Sequence, residues 1–372
     1  MNHAKPLKVL IVDDTVIYRK IVNDVLSELP DVQVVGSAHN GKAAITKIVA
    51  LKPDLLTLDI EMPEMDGLEV LTHLQTIAPE VGAIVLSTLT TKGSEMTIKS
   101  LELGAFDFIP KPQTGNMEEN KIYIKSTLAP MIKAFARRQE IKRLLKDKSI
   151  YSKTTLEKET LPDSQNIAEH MIAITGRQRQ KSEIVAIGIS TGGPNALAQM
   201  MPKIPSKLGV PIVIVQHMPP VFTQSLANSL NAKCTFDVRE ATDGEPLKPN
   251  TALIAPGGKQ MKVVAAPDGK TRIVRITDDP PEHSCRPSVD YLFRSIAHHY
   301  VGRATGVIMT GMGSDGLLGL KLMKRNGATI IAQDESTCVV YGMPKGPIEI
   351  GIVDVVAPLD KIADEIVKTI VH

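Results

Sequence analysis

One serine of this chain stands in a context that suits attack on a carbonyl carbon. Ser190 lies at the centre of Gly188-Ile189-Ser190-Thr191-Gly192, directly after an apolar run. A G-x-S-x-G turn between a strand and a helix exposes the hydroxyl, and its glycines leave room for substrate beside the backbone. The spacing therefore predicts a nucleophile. Two alternatives stay open: Ser190 could cap the next helix, or Gly192-Gly193 could cradle a phosphate, although no Gly-Lys-Ser/Thr sequence follows.

Two further residues could activate that serine. His217 follows the apolar run 211–216, and Asp315 lies in the glycine-rich segment 310–316. Histidine can take the serine proton near neutral pH, and a buried carboxylate then orients and stabilises the imidazolium. The backbone amides of Thr191 and Met312 are candidate oxyanion donors. The order Ser, His, Asp differs from that of ordinary α/β-hydrolases, so the fold need not be theirs.

Each of these residues also has a purely structural explanation. His217 alone would be interpreted as a hydrogen-bonded core histidine, and Asp315 alone as a turn acid. His283 is a further candidate, since it lies in a loop rich in Pro and Ser that could border the site. The catalytic interpretation therefore depends on the whole set rather than on any single residue.

A second group of polar residues indicates phosphoryl chemistry. Several apolar runs in the N-terminal half end in side chains that could hold a phosphoryl group or its cation, namely Asp13, Asp14, Asp59, Ser87 and Lys111. Clustered carboxylates need a cation, and oxygen ligands favour Mg²⁺. One aspartate could then attack the phosphoryl donor, while the lysine and the hydroxyl hold the phosphoryl oxygens. The alternative is that each acid caps a helix.

Alternating strands and helices could position both groups. Apolar runs at 7–12, 32–37, 55–58, 83–86 and 105–109 predict five strands of a doubly wound parallel α/β sheet. Ligands of such sheets bind outside the carboxyl ends of the strands. A second α/β unit is predicted by runs at 184–189, 211–216, 252–255, 305–309 and 329–332, with an inserted hairpin formed by 262–265 and 272–276.

The segment between the two units has a different character. From Asn120 the pattern is helical, is expected to break at Pro130, and then becomes basic. Residues 149–166 are polar with little apolar periodicity, which predicts a flexible connector that continues to about Lys181. The basic run could instead dock an acidic partner. The predicted domains are 1–127 and 182–372, joined by a helical and flexible linker at 128–181.

The composition excludes several classes of protein. With 372 residues and 43% apolar residues, the chain can form two domains with hydrophobic cores, and no run approaches the roughly 20 apolar residues of a membrane span. Cys234, Cys285 and Cys338 are widely spaced, which argues against a disulfide framework or a zinc site and fits a cytoplasmic protein. A net charge of +2 and 3% aromatic residues argue against nucleic-acid binding.

The N-terminal motifs resemble the receiver domain of two-component response regulators. The resemblance covers about residues 5–127 and rests on Val12-Asp13-Asp14, on 59–67 (Asp-Ile-Glu-Met-Pro-Glu-Met-Asp-Gly) and on Lys111-Pro112. It implies a flavodoxin-like sheet with Asp59 as the phosphoacceptor and with Asp13 and Asp14 binding Mg²⁺ beside it. By the same resemblance Ser87 is the switch hydroxyl, Lys111 senses the phosphoryl group and Phe108 is the aromatic switch residue.

The C-terminal motifs resemble the CheB family of chemotaxis methylesterases. They are 188–194, 216–219, 286–290, 310–316, 332–335 and 341–344. The resemblance implies a Ser190 nucleophile, a His217 base and an orienting Asp315, with no cofactor for the esterase step. The family hydrolyses glutamate methyl esters of chemoreceptors to release methanol, and many members deamidate receptor glutamines. A histidine kinase is the implied phosphoryl donor.

Two other functions remain as alternatives. A response regulator with a DNA-binding output would need a compact helix-turn-helix unit with a basic recognition helix, and none is visible beyond Lys181. An unregulated esterase for small esters would make the receiver a vestige, which the presence of Asp13, Asp59 and Lys111 opposes.

Overall fold

The N-terminal unit is a five-stranded parallel sheet covered by helices on both faces. The computed structural model describes residues 5–113, 115–151 and 180–371. The strands are β1 (Leu7–Val12), β2 (Val32–Ala38), β3 (Leu55–Asp59), β4 (Gly82–Ser87) and β5 (Asp107–Pro110), in the order β2-β1-β3-β4-β5. The helices are α1 (Val16–Ser27), α2 (Gly41–Leu51), α3 (Gly67–Ile77), α4 (Thr91–Glu102) and α5 (Met117–Tyr151).

Side-chain alternation along the strands decides which helices cover which face. In β1, Val9 and Ile11 pack with α1 and α5, whereas Leu10 and Val12 pack with α2, α3 and α4. Successive residues of a strand point to opposite faces, and a parallel sheet of this kind is buried on both. The predicted doubly wound α/β fold is therefore confirmed for this unit.

Helix α5 corrects one prediction. It runs without interruption from Met117 to Tyr151 with Pro130 inside it, so the expected break is wrong. A proline inside a helix costs about 3 kcal/mol. The buried side chains Ile124, Leu128 and Phe135 pack this helix against the sheet and outweigh that cost. The connector predicted for 149–166 falls almost entirely outside the described residues, so the domain boundaries stay predictions.

The C-terminal unit contains a larger parallel sheet with an appended hairpin. Its strands are β6 (Ile184–Ile189), β7 (Ile212–Gln216), β8 (Asp237–Glu240), β9 (Thr251–Ile254), β10 (Gln260–Ala265), β11 (Arg272–Thr277), β12 (Ala304–Ile308), β13 (Thr329–Gln333) and β14 (Val355–Ala357). Seven of them form one sheet in the order β14-β13-β12-β6-β7-β9-β8, and β10 pairs with β11 as the predicted antiparallel hairpin. The order places β6 and β7 side by side, so the residues that follow them meet at one edge.

Helices cover both faces of this second sheet. They are α6 (Gly193–Met200), α7 (Phe222–Asn231), α8 (Val289–His299), α9 (Leu317–Arg325), α10 (Lys345–Glu349) and α11 (Ile362–Val371), with a short 3₁₀ turn at Met201–Lys203. None of the helices in the described part of the chain is both long and apolar enough to cross a bilayer.

Candidate functional site: a carboxylate cluster and a serine-histidine-aspartate site

The acidic residues predicted for phosphoryl chemistry meet at the carboxyl end of the first sheet. Lys111 Nζ lies 2.8 Å from Asp13 Oδ2 and 2.7 Å from Asp59 Oδ2. Asp13, Asp14 and Asp59 each offer a carboxylate oxygen, and these atoms lie within 4.8 Å of one another. The oxygen-only donor set fits Mg²⁺. The structure thus brings together four of the five residues that the sequence singled out.

The fifth residue, Ser87, is not directed into that cluster. Its hydroxyl donates to the Gly93 carbonyl at 3.2 Å and accepts from Thr97 Oγ1 at 2.6 Å, both in α4. Thr88, which the sequence analysis did not single out, lines the cleft and donates to Glu61 Oε2 at 2.7 Å. Successive residues of a strand point to opposite faces, so Ser87 and Thr88 point in different directions. The sequence alone does not show which of the two hydroxyls faces the cleft.

Burial controls the protonation of this cluster. Burial raises the pKa of Asp59 to about 6, and the Lys111 ammonium opposes that rise. Burial lowers the pKa of Lys111, but the carboxylates of Asp59 and Asp13 outweigh it and the net shift is upward. Lys111 therefore stays charged and holds the carboxylates in place.

Ser190 follows β6 in the turn that begins α6. Its backbone amide donates to Thr310 O at 3.0 Å, and Gln216 Nε2 donates to its carbonyl at 3.0 Å. Gly193 has no room for a side chain, because a Cβ there would lie 1.9 Å from Gln216 Oε1. Gln216 belongs to the 216–219 motif but was assigned no role from the sequence. It ties the serine turn to the strand that precedes His217.

His217 and Asp315 form the hydrogen-bonded pair expected of a base and its orienting acid. His217 Nε2 lies 2.8 Å from Asp315 Oδ2, and the side chain of Asp315 is 3% exposed. The amide of His217 donates to Ile189 O at 3.1 Å, which places the histidine beside the serine turn. A carboxylate in this position fixes the imidazole tautomer.

The start of α8 holds Asp315 in its ionised form. The carboxylate accepts from Ser288 Oγ at 3.0 Å, from the Val289 amide at 2.7 Å and from the Asp290 amide at 2.9 Å. Unpaired amides and the helix dipole favour negative charge at a helix N-terminus. Burial alone would raise the pKa of Asp315, but the hydrogen bond with His217 and these amides lower it. The 286–290 motif therefore supplies the hydrogen-bond donors that keep Asp315 ionised.

The second ring nitrogen of His217 faces a cysteine. Nδ1 lies 3.7 Å from Cys285 Sγ, and the thiol also contacts His283 O at 3.5 Å. Among the described residues, no hydrogen bond joins the Ser190 hydroxyl to His217. His283 Nε2 lies 3.1 Å from Asp290 Oδ2, and a ring nitrogen of His283 also lies within 4.8 Å of a carboxylate oxygen of Asp315. For Nδ1 to accept the serine proton, the ring has to exchange its contact with Cys285 for one with Ser190.

The loop that carries Met312 packs directly on the serine. A Cβ on Gly311 would lie 2.7 Å from the Ser190 Cβ, so only glycine permits this approach. No hydrogen bond donated by the backbone amide of Thr191 or of Met312 is found in the described part of the chain. Free amides beside Ser190 are suited to stabilise an oxyanion.

The protonation of His217 predicts the pH dependence of a reaction at this site. Burial disfavours the charged ring, but the hydrogen bonds with Asp315 and Cys285 raise the pKa of His217 to about 9. A raised pKa means that the neutral base forms only as the pH rises, so kcat/KM should climb about tenfold per pH unit below 9. We expect Cys285→Ala to shift the rise to lower pH. A flat profile between pH 6 and 8 would contradict this assignment.

The first unit packs against the second beside Ser190. The rings of Phe108 and Phe222 lie 4.6 Å apart, and Ser94 Oγ lies 2.7 Å from Ser225 Oγ. Burial raises the pKa of Asp107 to about 7, and hydrogen bonds from the Phe108 amide and the Thr191 side chain oppose that rise. Asp107 therefore contacts the residue that follows Ser190. The contact therefore covers one side of the serine turn.

A charge inside this contact should separate the two units. Ser94 and Ser225 are both buried in this contact. An unpaired buried charge costs several kcal/mol, which is enough to shift an equilibrium toward an open form in which the two units are apart. We expect Ser225→Arg to raise the activity at Ser190 without any phosphodonor by about tenfold or more. Ser206→Arg, in an exposed turn, is the matched control. Equal basal rates for the two variants would show that the contact does not restrain the site.

Comparisons with known proteins match both halves of the chain. Residues 185–366 match the CheB methylesterase family, and residues 9–121 match the response regulator receiver domain. The protein-glutamate methylesterase/protein-glutamine glutaminase of Desulfotalea psychrophila is 54% identical over 370 residues, which cover 98% of this chain and 99% of that protein. The protein of the same name from Trichodesmium erythraeum is 42% identical over 364 residues, with 98% and 99% covered.

One solved structure is similar to about half of the chain. The crystal structure of the Thermotoga maritima CheB methylesterase catalytic domain is 41% identical in sequence and matches with a TM-score of 0.49. The match covers 51% of this chain and 99% of that one.

Proposed function

Because the chain belongs to the protein-glutamate methylesterase/protein-glutamine glutaminase family, we propose that it hydrolyses glutamate methyl esters of chemoreceptors and releases methanol. We propose the same site for deamidation of receptor glutamines, since an ester and an amide present the same acyl carbon to a nucleophile. Aspartyl phosphorylation of the receiver controls the rate. The observation that carries the proposal is the 2.8 Å His217–Asp315 pair beside the serine turn.

The esterase step uses residues of the second unit alone. The Ser190 hydroxyl attacks the ester carbonyl while Nδ1 of His217 takes its proton, and Asp315 stabilises the imidazolium through Nε2. The amides of Thr191 and Met312 bind the oxyanion, each worth about 3 kcal/mol in comparable enzymes. His217 returns the proton to the departing methoxide, and methanol leaves. Water then hydrolyses the acyl-serine by the same route, which regenerates Ser190.

Phosphorylation acts on the contact between the two units. A histidine kinase supplies the phosphoryl group, and the carboxylate of Asp59 accepts it. Asp13, Asp14 and Asp59 would hold Mg²⁺, which neutralises phosphoryl charge when bound. Lys111 binds the phosphoryl oxygens, and Ser87 turns toward them from its present bonds in α4. This rotation of the Ser87 side chain alters the face formed by α4 and Phe108, which packs on α7. The form in which the two units are apart therefore becomes more populated.

We also propose a cytoplasmic location, where receptor signalling domains and kinases meet. Cys234, Cys285 and Cys338 are all free thiols, which suits a reducing compartment.

Isotope labelling tests the reaction class. In H₂¹⁸O, acyl cleavage should place one ¹⁸O in each product glutamate and none in the methanol, because water attacks the acyl-serine and not the methyl carbon. Mass spectrometry of receptor peptides and of the methanol would measure both, and deamidated sites should gain one ¹⁸O as well. Methanol that carries ¹⁸O, or receptor peptides that stay unchanged, would overturn the proposed function.

A further inference from the structure

The contact between His217 and Cys285 places a thiol and an imidazole where a metal ion could join them. Cys285 lies between the β10–β11 hairpin and α8, far in sequence from His217, and its Sγ is 3.7 Å from His217 Nδ1. The cysteine spacing predicted no zinc site because a Cys-His pair formed by distant segments leaves no local motif. His217, Cys285 and Asp315 each offer a ligand atom, and these atoms lie within 4.8 Å of one another.

The spacing of the two atoms fits a tetrahedral zinc ion. Zn–S bonds of about 2.3 Å and Zn–N bonds of about 2.0–2.1 Å at a tetrahedral angle put the sulfur and nitrogen about 3.6 Å apart. The observed separation is 3.7 Å, so neither side chain has to move far. The other ring nitrogen of His217, Nε2, already lies 2.8 Å from Asp315 Oδ2. A metal-bound histidine commonly donates its second ring N–H to a carboxylate in this way.

We propose that Cys285 and His217 bind a thiophilic divalent cation such as Zn²⁺, and that the bound ion switches the esterase off. Water completes the coordination. Binding forms one Zn–S and one Zn–N bond, releases the thiol proton and the proton on His217 Nδ1 to solvent, and replaces the thiol contact with His283 O. The inhibitory consequence rests on the proposed function, because the ion occupies the Nδ1 lone pair that would accept the Ser190 proton.

The surroundings indicate an exchangeable ion rather than a structural one. Cys285 is partly exposed and the His217 side chain is 13% exposed, so both can be reached from solvent. Two protein ligands bind more weakly than the four of structural zinc sites. The Asp13, Asp14 and Asp59 cluster offers only hard oxygen ligands, whereas this pair offers sulfur and nitrogen. The two sites therefore select different cations, and Mg²⁺ should not compete for the thiol.

Cobalt absorption and inhibition by zinc test the proposal on the full-length protein. Co²⁺ bound to a thiolate gives a sulfur-to-metal absorption band, which reports binding without any turnover. We expect this band in the wild type and in Cys234→Ser, the matched control, and its loss in Cys285→Ser. Zinc should suppress methanol release, and Cys285→Ser should raise the half-inhibitory concentration at least about tenfold.

The two readouts separate failure of the inference from failure of the proposed function. If no band forms, or if Cys285→Ser stays as zinc-sensitive as the control, the metal site is wrong even when Ser190-dependent methanol release is normal. If the Cys285-dependent band forms but the metal-free protein releases no methanol from any receptor, the site stands as a metal site and the proposed function fails.

Discussion

We expect Ser190→Ala to lower methanol release by at least about 10⁴-fold, because the acyl intermediate cannot form without the Ser190 hydroxyl. The neighbouring hydroxyl of Thr191 cannot replace it, since that side chain is hydrogen-bonded to Asp107. Loss of a serine nucleophile leaves only the residual catalysis of the oxyanion donors and of substrate binding. Receptor binding should be unchanged, since alanine removes one oxygen and fits the same turn. Initial rates of methanol release from methylated receptor membranes would measure the loss.

A matched serine substitution separates catalysis from folding. Ser206 lies in an exposed turn, so Ser206→Ala should keep the wild-type rate. Thermal unfolding should give similar midpoints for both variants. A Ser190→Ala protein that is folded and retains more than about one tenth of the wild-type rate would remove Ser190 from the mechanism.

Asp315→Asn should cost about 10³- to 10⁴-fold in kcat with little change in KM, because Asp315 acts on His217 and not on the substrate. The carboxylate accepts four hydrogen bonds, from His217, Ser288, Val289 and Asp290. An asparagine has one acceptor oxygen and no charge, so it can neither satisfy all four donors nor stabilise an imidazolium.

The control for Asp315 is another aspartate whose carboxylate accepts hydrogen bonds from backbone amides. Asp268 accepts from the amides of Lys270 and Thr271 in the exposed hairpin turn. Asp268→Asn should therefore keep kcat. Steady-state kinetics on methylated receptors would compare the two variants, and an Asp315→Asn enzyme that matches Asp268→Asn would show that the carboxylate has no catalytic effect.

Much of the fold follows from short apolar runs, and the exceptions have physical reasons. The predicted bounds of β1 (Leu7–Val12) and β6 (Ile184–Ile189) are confirmed, because buried parallel strands are apolar on both faces. Strand β8 (Asp237–Glu240) was missed, since it is a charged edge strand with one fully buried residue. Strand β14 has three residues, too few for a periodicity to show.

The residues of the candidate site were predictable because strand ends of parallel sheets converge. That geometry brings Asp13, Asp59 and Lys111 together, and it also places His217 beside the serine turn. The contact between His217 and Cys285 was not predictable, because it depends on how a loop folds back over the sheet edge. The pairing of Ser94 with Ser225 leaves no pattern in the sequence either.

The proposed mechanism requires phosphorylation of Asp59 to release a hydrolytic reaction at Ser190. Methanol release from methylated receptor membranes, with and without a small phosphodonor and Mg²⁺, tests it in the wild type, Asp59→Asn, Ser190→Ala and the control Asp31→Asn, which changes an exposed acid. We expect the phosphodonor to accelerate the wild type and Asp31→Asn, to leave Asp59→Asn at the basal rate, and to produce no release from Ser190→Ala. Acceleration of Asp59→Asn equal to that of the wild type, or release that survives in Ser190→Ala, would contradict this mechanism.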